Sequence, residues 1–408
     1  MPTRMENRRN MNGESAPQDS MHGQFIGAIV LFGALGAVVF NILPLFLGAA
    51  SDSLALSDTQ LGFLGSAYLG GYGVMIAAGF FWVDRWPWRR SLATALLGAA
   101  TLFVAVGFTQ DFTLVAMLIA GSGVCLGTLY GLGYPAIARL PNPERLIGIK
   151  MAAEALLGMS LLLILPTLVV GAWGFRGLVW VLGGLCLIGL AAVPIFPQPS
   201  ELPPEDKIDA PSANDRRSVF LGLGGLALYT AGMTGIWAFV ERLGVEAGFG
   251  AGQIGAVLGA SLIAAVLAAF AAAAKGEAGN QLLPHVVALV GLAISATLCL
   301  SDGGFPAYAA GVILLNGTWF FVFPFQQALA TRIATSERVV MLVPAMSALG
   351  AAAGPGLAGL AKGDGGFLSV FLLGGLTSVV GFLAFRGVLG GLAKSATHPT
   401  DSTKDAGS

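Results

Sequence analysis

One acidic side chain, Glu154, stands alone deep in an apolar run, with Lys150 four residues before it. If the helix that carries it starts near Leu146, Glu154 lies about 12 Å along the axis at 1.5 Å per residue. That depth is inside a hydrocarbon core about 30 Å thick. An ionised carboxylate there costs a few kcal/mol on insertion scales, so it has to face a cavity or a partner. Lys150, at i−4, is on the same helix face. Two readings stay open: the pair is a static tie between helices, or Glu154 binds and releases a proton as a cavity changes sides.

A second concentration of charge runs from Gly79 to Arg90, Gly-Phe-Phe-Trp-Val-Asp-Arg-Trp-Pro-Trp-Arg-Arg, and gathers Asp84, Arg85, Arg89 and Arg90 between two apolar runs. An acid at a helix end can face the N-terminus of a neighbouring helix, whose unpaired N–H groups carry about half a positive charge. Asp84 could hold a later helix start near Arg338, and Glu277 the helix start that precedes Glu154. Contacts of that kind would form a gate on one face. The plainer reading is a solvated turn that fixes topology.

No enzyme motif accompanies these charges. The chain has no HExxH, no P-loop, no Gly-x-Ser-x-Gly and no Cys/His cluster, which leaves no cofactor and no metal expected. Cys125, Cys186 and Cys299 fall inside apolar runs and read as small packing residues. His285 reads as a snorkelling interfacial side chain, and Glu241 as a carboxylate in water at the outer rim.

The elements that must position these residues are apolar throughout. Only 11% of the 408 residues are charged and mean hydropathy is +0.79, against about 25% charged in an average soluble domain. The net charge of −1 argues against nucleic acid as a partner. Runs of about 20 apolar residues predict twelve spans at 24–48, 60–82, 91–109, 112–138, 146–170, 175–196, 218–240, 253–274, 282–300, 306–330, 339–361 and 366–388. With both termini inside, roughly 18 Lys and Arg fall on the inner side and 3 (Arg176, Arg242, Lys362) on the outer, the bias of a cytoplasmic inner face.

Residues 1–23 and 389–408 read as disordered cytoplasmic tails, and the polar stretch 197–217 as a linker between six-helix halves at 24–196 and 218–388. The halves repeat. Gln60-Leu61-Gly62 returns as Gln253-Ile254-Gly255, Glu144-Arg145 as Glu337-Arg338, and Asp84 as Glu277, all at an offset of 193 residues (253 against 60, 337 against 144, 277 against 84). Parallel repeats are common in secondary transporters. Glycines at 123, 127 and 131, and again at 350, 354 and 356, make stripes on which helices approach closely.

Twelve spans, a six-plus-six division and a Gly…Asp-Arg…Arg-Arg loop between spans two and three resemble the major facilitator superfamily. The loop departs from Gly-x-x-x-Asp-Arg-x-Gly-Arg-Arg: Gly79 is one place early, and Trp88 stands inserted before Arg89. The resemblance implies an all-α membrane protein of two pseudo-symmetric six-helix bundles, with spans one, four, seven and ten lining a central cavity. Their polar and aromatic members are Asn41, Tyr130, Tyr134, Tyr229, Thr230, Trp237, Asn316 and Trp319, together with Gln326 and Gln327. These same side chains also suit interhelical hydrogen bonds.

The expectation is a monomeric secondary transporter in the inner membrane that moves a small organic solute by alternating access. Proton-coupled uptake (symport) through Glu154 and Lys150 is favoured. Its partners would be a small-molecule solute, a proton and the lipid bilayer. The alternatives are efflux by proton antiport and a non-transporting membrane sensor on the same scaffold.

Overall fold

The structure, a computed structural model, describes residues 15–83, 85–203, 216–276, 280–333 and 337–397. Each of the twelve apolar runs is helical. In the first half the helices are α1 (Ser15–Gly36), α2 (Val38–Asn41), α3 (Leu43–Leu54), α4 (Asp58–Ala77), α5 (Gly79–Trp82), α6 (Trp88–Val106), α7 (Phe112–Ala138), α8 (Pro143–Leu165) and α9 (Gly171–Gly189). The second half has α10 (Arg216–Glu246), α11 (Ala251–Lys275), α12 (Leu283–Cys299), α13 (Gly304–Arg332) and α14 (Glu337–Thr397). By length and composition, eight helical segments of the described residues can cross a membrane, and the apolar helices at 23–36, 43–54 and 283–299 are shorter.

Helix α1 is described from Ser15, inside the stretch expected to be a disordered tail. At the other end α14 continues to Thr397, past the predicted limit. Two apparently continuous helices are broken by glycine. Gly174 (φ 60°, ψ −153°) splits 171–189 and Gly366 (φ 66°, ψ −163°) splits 337–397. Each adopts a backbone that is essentially restricted to glycine, each precedes a phenylalanine, and the two are 192 residues apart (366 against 174).

The repeat is chemical as well as positional. Gln60 accepts a hydrogen bond from the Ser57 N–H at 3.0 Å, and Gln253 accepts one from the Gly250 N–H at 3.1 Å. The two glutamines therefore close equivalent helix N-termini, satisfying donors that a helix leaves orphaned.

The halves meet along glycine seams. A β-carbon at Gly62 would collide with the backbone of Pro355 and Gly359, so α4 lies directly on α14. On the other side of the molecule Gly158 abuts Leu262, and Gly255 abuts the Leu162 carbonyl, where α8 crosses α11. Gly123 and Gly127 press on the backbones of Tyr68 and Tyr72, but Gly131, the third member of that predicted stripe, faces open space.

Candidate functional site

Lys150 and Glu154 project from α8 and are only 1% and 9% exposed. The Lys150 Nζ donates to Glu154 Oε1 at 2.5 Å. It also lies 3.7 Å from the ring centroid of Tyr130 and 4.8 Å from that of Tyr134, both on α7. A desolvated ammonium over such faces gains about 2 kcal/mol from the ring quadrupole. The lysine stem runs over Gly33 of α1 and Gly133 of α7, and at Gly33 any β-carbon would overlap it. Three helices therefore build a slot for one cation.

Around the slot is a row of phenols. The Tyr130 and Tyr134 hydroxyls are 3.0 Å apart, Tyr72 packs on Tyr130 at 5.5 Å, and Tyr68 stacks on Tyr72 at 6.0 Å. Tyr134 remains 41% exposed, while Tyr68 is fully buried and its hydroxyl has no hydrogen-bond partner. Tyr68 and Tyr72 were not singled out from the sequence. Their spacing of four residues, the same as that of Tyr130 and Tyr134, is the signal that would have found them. Asn41 donates from Nδ2 to the Glu154 carbonyl at 3.1 Å, tying α2 to α8 beside the pair.

The remaining predicted cavity residues separate into two groups. Trp237 of α10 reaches across the halves and donates to the Phe40 carbonyl at 3.3 Å, and Trp319 of α13 meets the Phe40 ring at 6.3 Å. Phe40 offers that carbonyl because Pro44, four residues on, lacks the N–H that would have taken it. The same logic recurs in α14, where Pro355 leaves the Ala351 carbonyl free and the Thr234 hydroxyl donates to it at 3.2 Å. Tyr229, Thr230 and Asn316 instead lie within the second half. Tyr229 packs on Gly381, Thr230 bonds the Leu226 carbonyl, and Asn316 donates to Ser261 at 2.8 Å. Gln326 is buried and its Oε1 has no partner.

Of the predicted gate, Asp84 and Glu277 lie outside the described residues, and Arg338 is helical with its side chain outside them. Arg85 and Arg90 are exposed. Arg89 donates to the Phe196 carbonyl at 2.7 Å and to Glu201 at 2.8 Å. The start of the expected linker is thus fastened to this loop. Trp88, the residue by which the loop departs from the family pattern, is fully buried and donates from its indole to the Val83 carbonyl. Phe196 packs on Trp88 and Phe32.

Two expectations are overturned, one on the linker face and one on the opposite, far face. Glu241 is 8% exposed rather than in water, and His285, on the linker face, is 3% exposed against Phe385 rather than snorkelling. Among the described residues, the ion pairs that join the halves are on the far face: Lys362 with Asp58 at 2.8 Å and Arg242 with Asp52 at 2.5 Å. Lys362 also holds Glu246 at 2.9 Å. Charges distant in sequence, all at helix ends, could not be paired from the sequence alone.

Two helical halves joined along glycine seams, with a buried Lys–Glu pair beside the junction, define a multi-pass helical membrane protein. The sequence profile of the Major Facilitator Superfamily matches residues 24–342, and the chain belongs to that family. A bacterial homolog of the human lysosomal transporter Spinster, solved inward-facing and unoccupied, is 14% identical, with TM-score 0.68 over 91% of this chain and 98% of its own. The D-xylose–proton symporter is 15% identical, with TM-score 0.68 over 88% and 97% of the two chains. The human organic anion transporter MFSD10 is also 15% identical, with TM-score 0.63 over 89% and 99%. No curated relative matches the chain in sequence.

Proposed function

We propose that the protein crosses the inner membrane twelve times with its linker face in the cytoplasm, and moves a small organic solute by rocking one half against the other. Proton-coupled uptake is the favoured direction, with Glu154 as the proton site and Lys150 as its electrostatic partner. The observation that carries this reading is the Lys150–Glu154 pair inside the tyrosine slot, because an ion pair so far from water is expensive to keep unless it is used. Tyr134 is the exposed member of the slot, so a solute with a hydroxyl, a carboxylate or a ring would find donors and an aromatic face there. The far-face ion pairs support a conformation shut to the outside. The sugar symporter and the organic anion transporter among the structural neighbours support sugars and organic acids as the first solutes to try.

Counterflow in proteoliposomes, run with a panel of organic acids and sugars with and without a pH gradient, tests it. Exchange stimulated by an inward proton gradient is the expected result. Exchange with no response to the gradient removes the proton, and no exchange of any solute favours the non-transporting sensor.

A further inference from the structure

Glu241 occupies a place that a spectator carboxylate would not. It is on α10 near the far face, 8% exposed, and its Oε2 makes no hydrogen bond. Its carboxyl group presses on Gly48 of α3, where any β-carbon would overlap it. The contact between the halves at this point is therefore a carboxyl group against bare backbone.

Among the described residues, the cation paired with it is shared. Arg242 Nε is 3.9 Å from Glu241 Oε2, but Arg242 Nη1 is given to Asp52 at 2.5 Å and to the Gly48 carbonyl at 3.4 Å. Two acids therefore compete for one guanidinium. The next cluster along this face repeats the imbalance, with Asp58 and Glu246 both on Lys362. From α13 the Tyr308 hydroxyl approaches the same region but donates to the Val240 carbonyl at 3.0 Å. A buried carboxylate with an oxygen that accepts no hydrogen bond, beside a net negative cluster, is costly, and a proton removes the cost.

We propose that Glu241 is a second proton-binding site, a carboxyl that holds its proton while the far face is shut and loses it to outside water when α3 and α10 part. Closure of the far face then requires that proton, because sealing Gly48 over an ionised Glu241 would strand the charge. The site rests on the rocking of the halves proposed above and adds to it a proton taken up at the gate, separate from Glu154.

The test needs no solute. Spin labels at Gln110→Cys and Asp302→Cys, in a chain whose three native cysteines are replaced by alanine, report the opening of the far face by pulsed dipolar spectroscopy in lipid nanodiscs. Between about pH 5 and about pH 9, a range that spans shifted carboxyl groups, the parent chain is expected to move from the short distance to the long one. Glu241→Gln is expected to stay short at every pH. Asp52→Asn releases Arg242 to Glu241 but also removes a tie between the halves, so it is compared with Asp58→Asn, which removes such a tie and leaves Arg242 in place. A larger shift of the midpoint to lower pH in Asp52→Asn is expected, and this comparison decides the matter should Glu241→Gln fold poorly. A pH response unchanged in Glu241→Gln, or equal midpoints in Asp52→Asn and Asp58→Asn, overturns the site. A single distance that no pH, detergent or lipid alters overturns the rocking itself.

Discussion

Lys150 and Glu154 are held more tightly than an i,i+4 pair on a helix surface, because the lysine stem is packed against Gly33 and Gly133 and both side chains are buried. Glu154→Gln therefore does two things at once. It removes the proposed proton site, and it strands a buried ammonium at about 3–5 kcal/mol. The double variant Lys150→Met with Glu154→Gln separates them: it is expected to regain most of the thermal stability while proton-driven exchange stays lost. Full gradient-driven exchange by that double variant would exclude the pair from coupling. Trp237→Phe isolates the other key contact, since it keeps the ring and deletes the donor to the Phe40 carbonyl. The cost of the orphaned carbonyl is about 1–3 kcal/mol, to be read as a lower melting temperature in detergent.

Helices here meet through the absence of side chains. Gly62 on α4 and Gly354 on α14 each face backbone, Gly62 against Pro355 and Gly359 and Gly354 against Ala231 and Gly235. Gly62→Leu is expected to force α4 and α14 apart, with a penalty of at least about 1–3 kcal/mol, whereas Gly131→Ala, in open space, should stay within about 0.5 kcal/mol of the parent. Thermal melts of the two variants side by side check this, and equal melting would refute the seam. At the linker face the element that matters is the short turn at Pro199–Glu201. Because Arg89 holds both Glu201 and the Phe196 carbonyl, Arg89→Ala is expected to loosen the start of the linker and quicken trypsin cleavage at Lys207.

At the scale of the molecule, the far face is shut by two basic residues that serve four acids. Lys362, 9% exposed, binds Asp58 from the other half and Glu246 from its own. Both acids keep solvent contact, which discounts each pair toward about 1 kcal/mol or less. Only the Asp58 pair crosses between the halves, so Lys362→Ala is expected to remove about 1 kcal/mol or less from the closed state, a shift of up to roughly 5-fold toward the open one. The same paired spin labels would record it, and salt should weaken the parent's closure in the same direction. An unchanged distance distribution would mean that the glycine seams alone hold the face shut.

The all-helical class, the membrane-spanning character and the internal repeat were legible in the sequence for a physical reason: apolar run length, basic-loop bias and helix-end residues are local properties that the bilayer imposes on a chain directly. Glu154 and Lys150 were legible too, because a charge deep in an apolar run announces itself. Which charges meet was not. Arg89 lies more than a hundred residues from Glu201, and Lys362 about three hundred from Asp58, and nothing local links them. Glu241 was misplaced for the same reason: position near a helix end suggested water, whereas the packing of Gly48 from the other half excludes it. The residues and their helices follow from the sequence, but which side chains are buried and which stay wet depends on how the two halves close on one another.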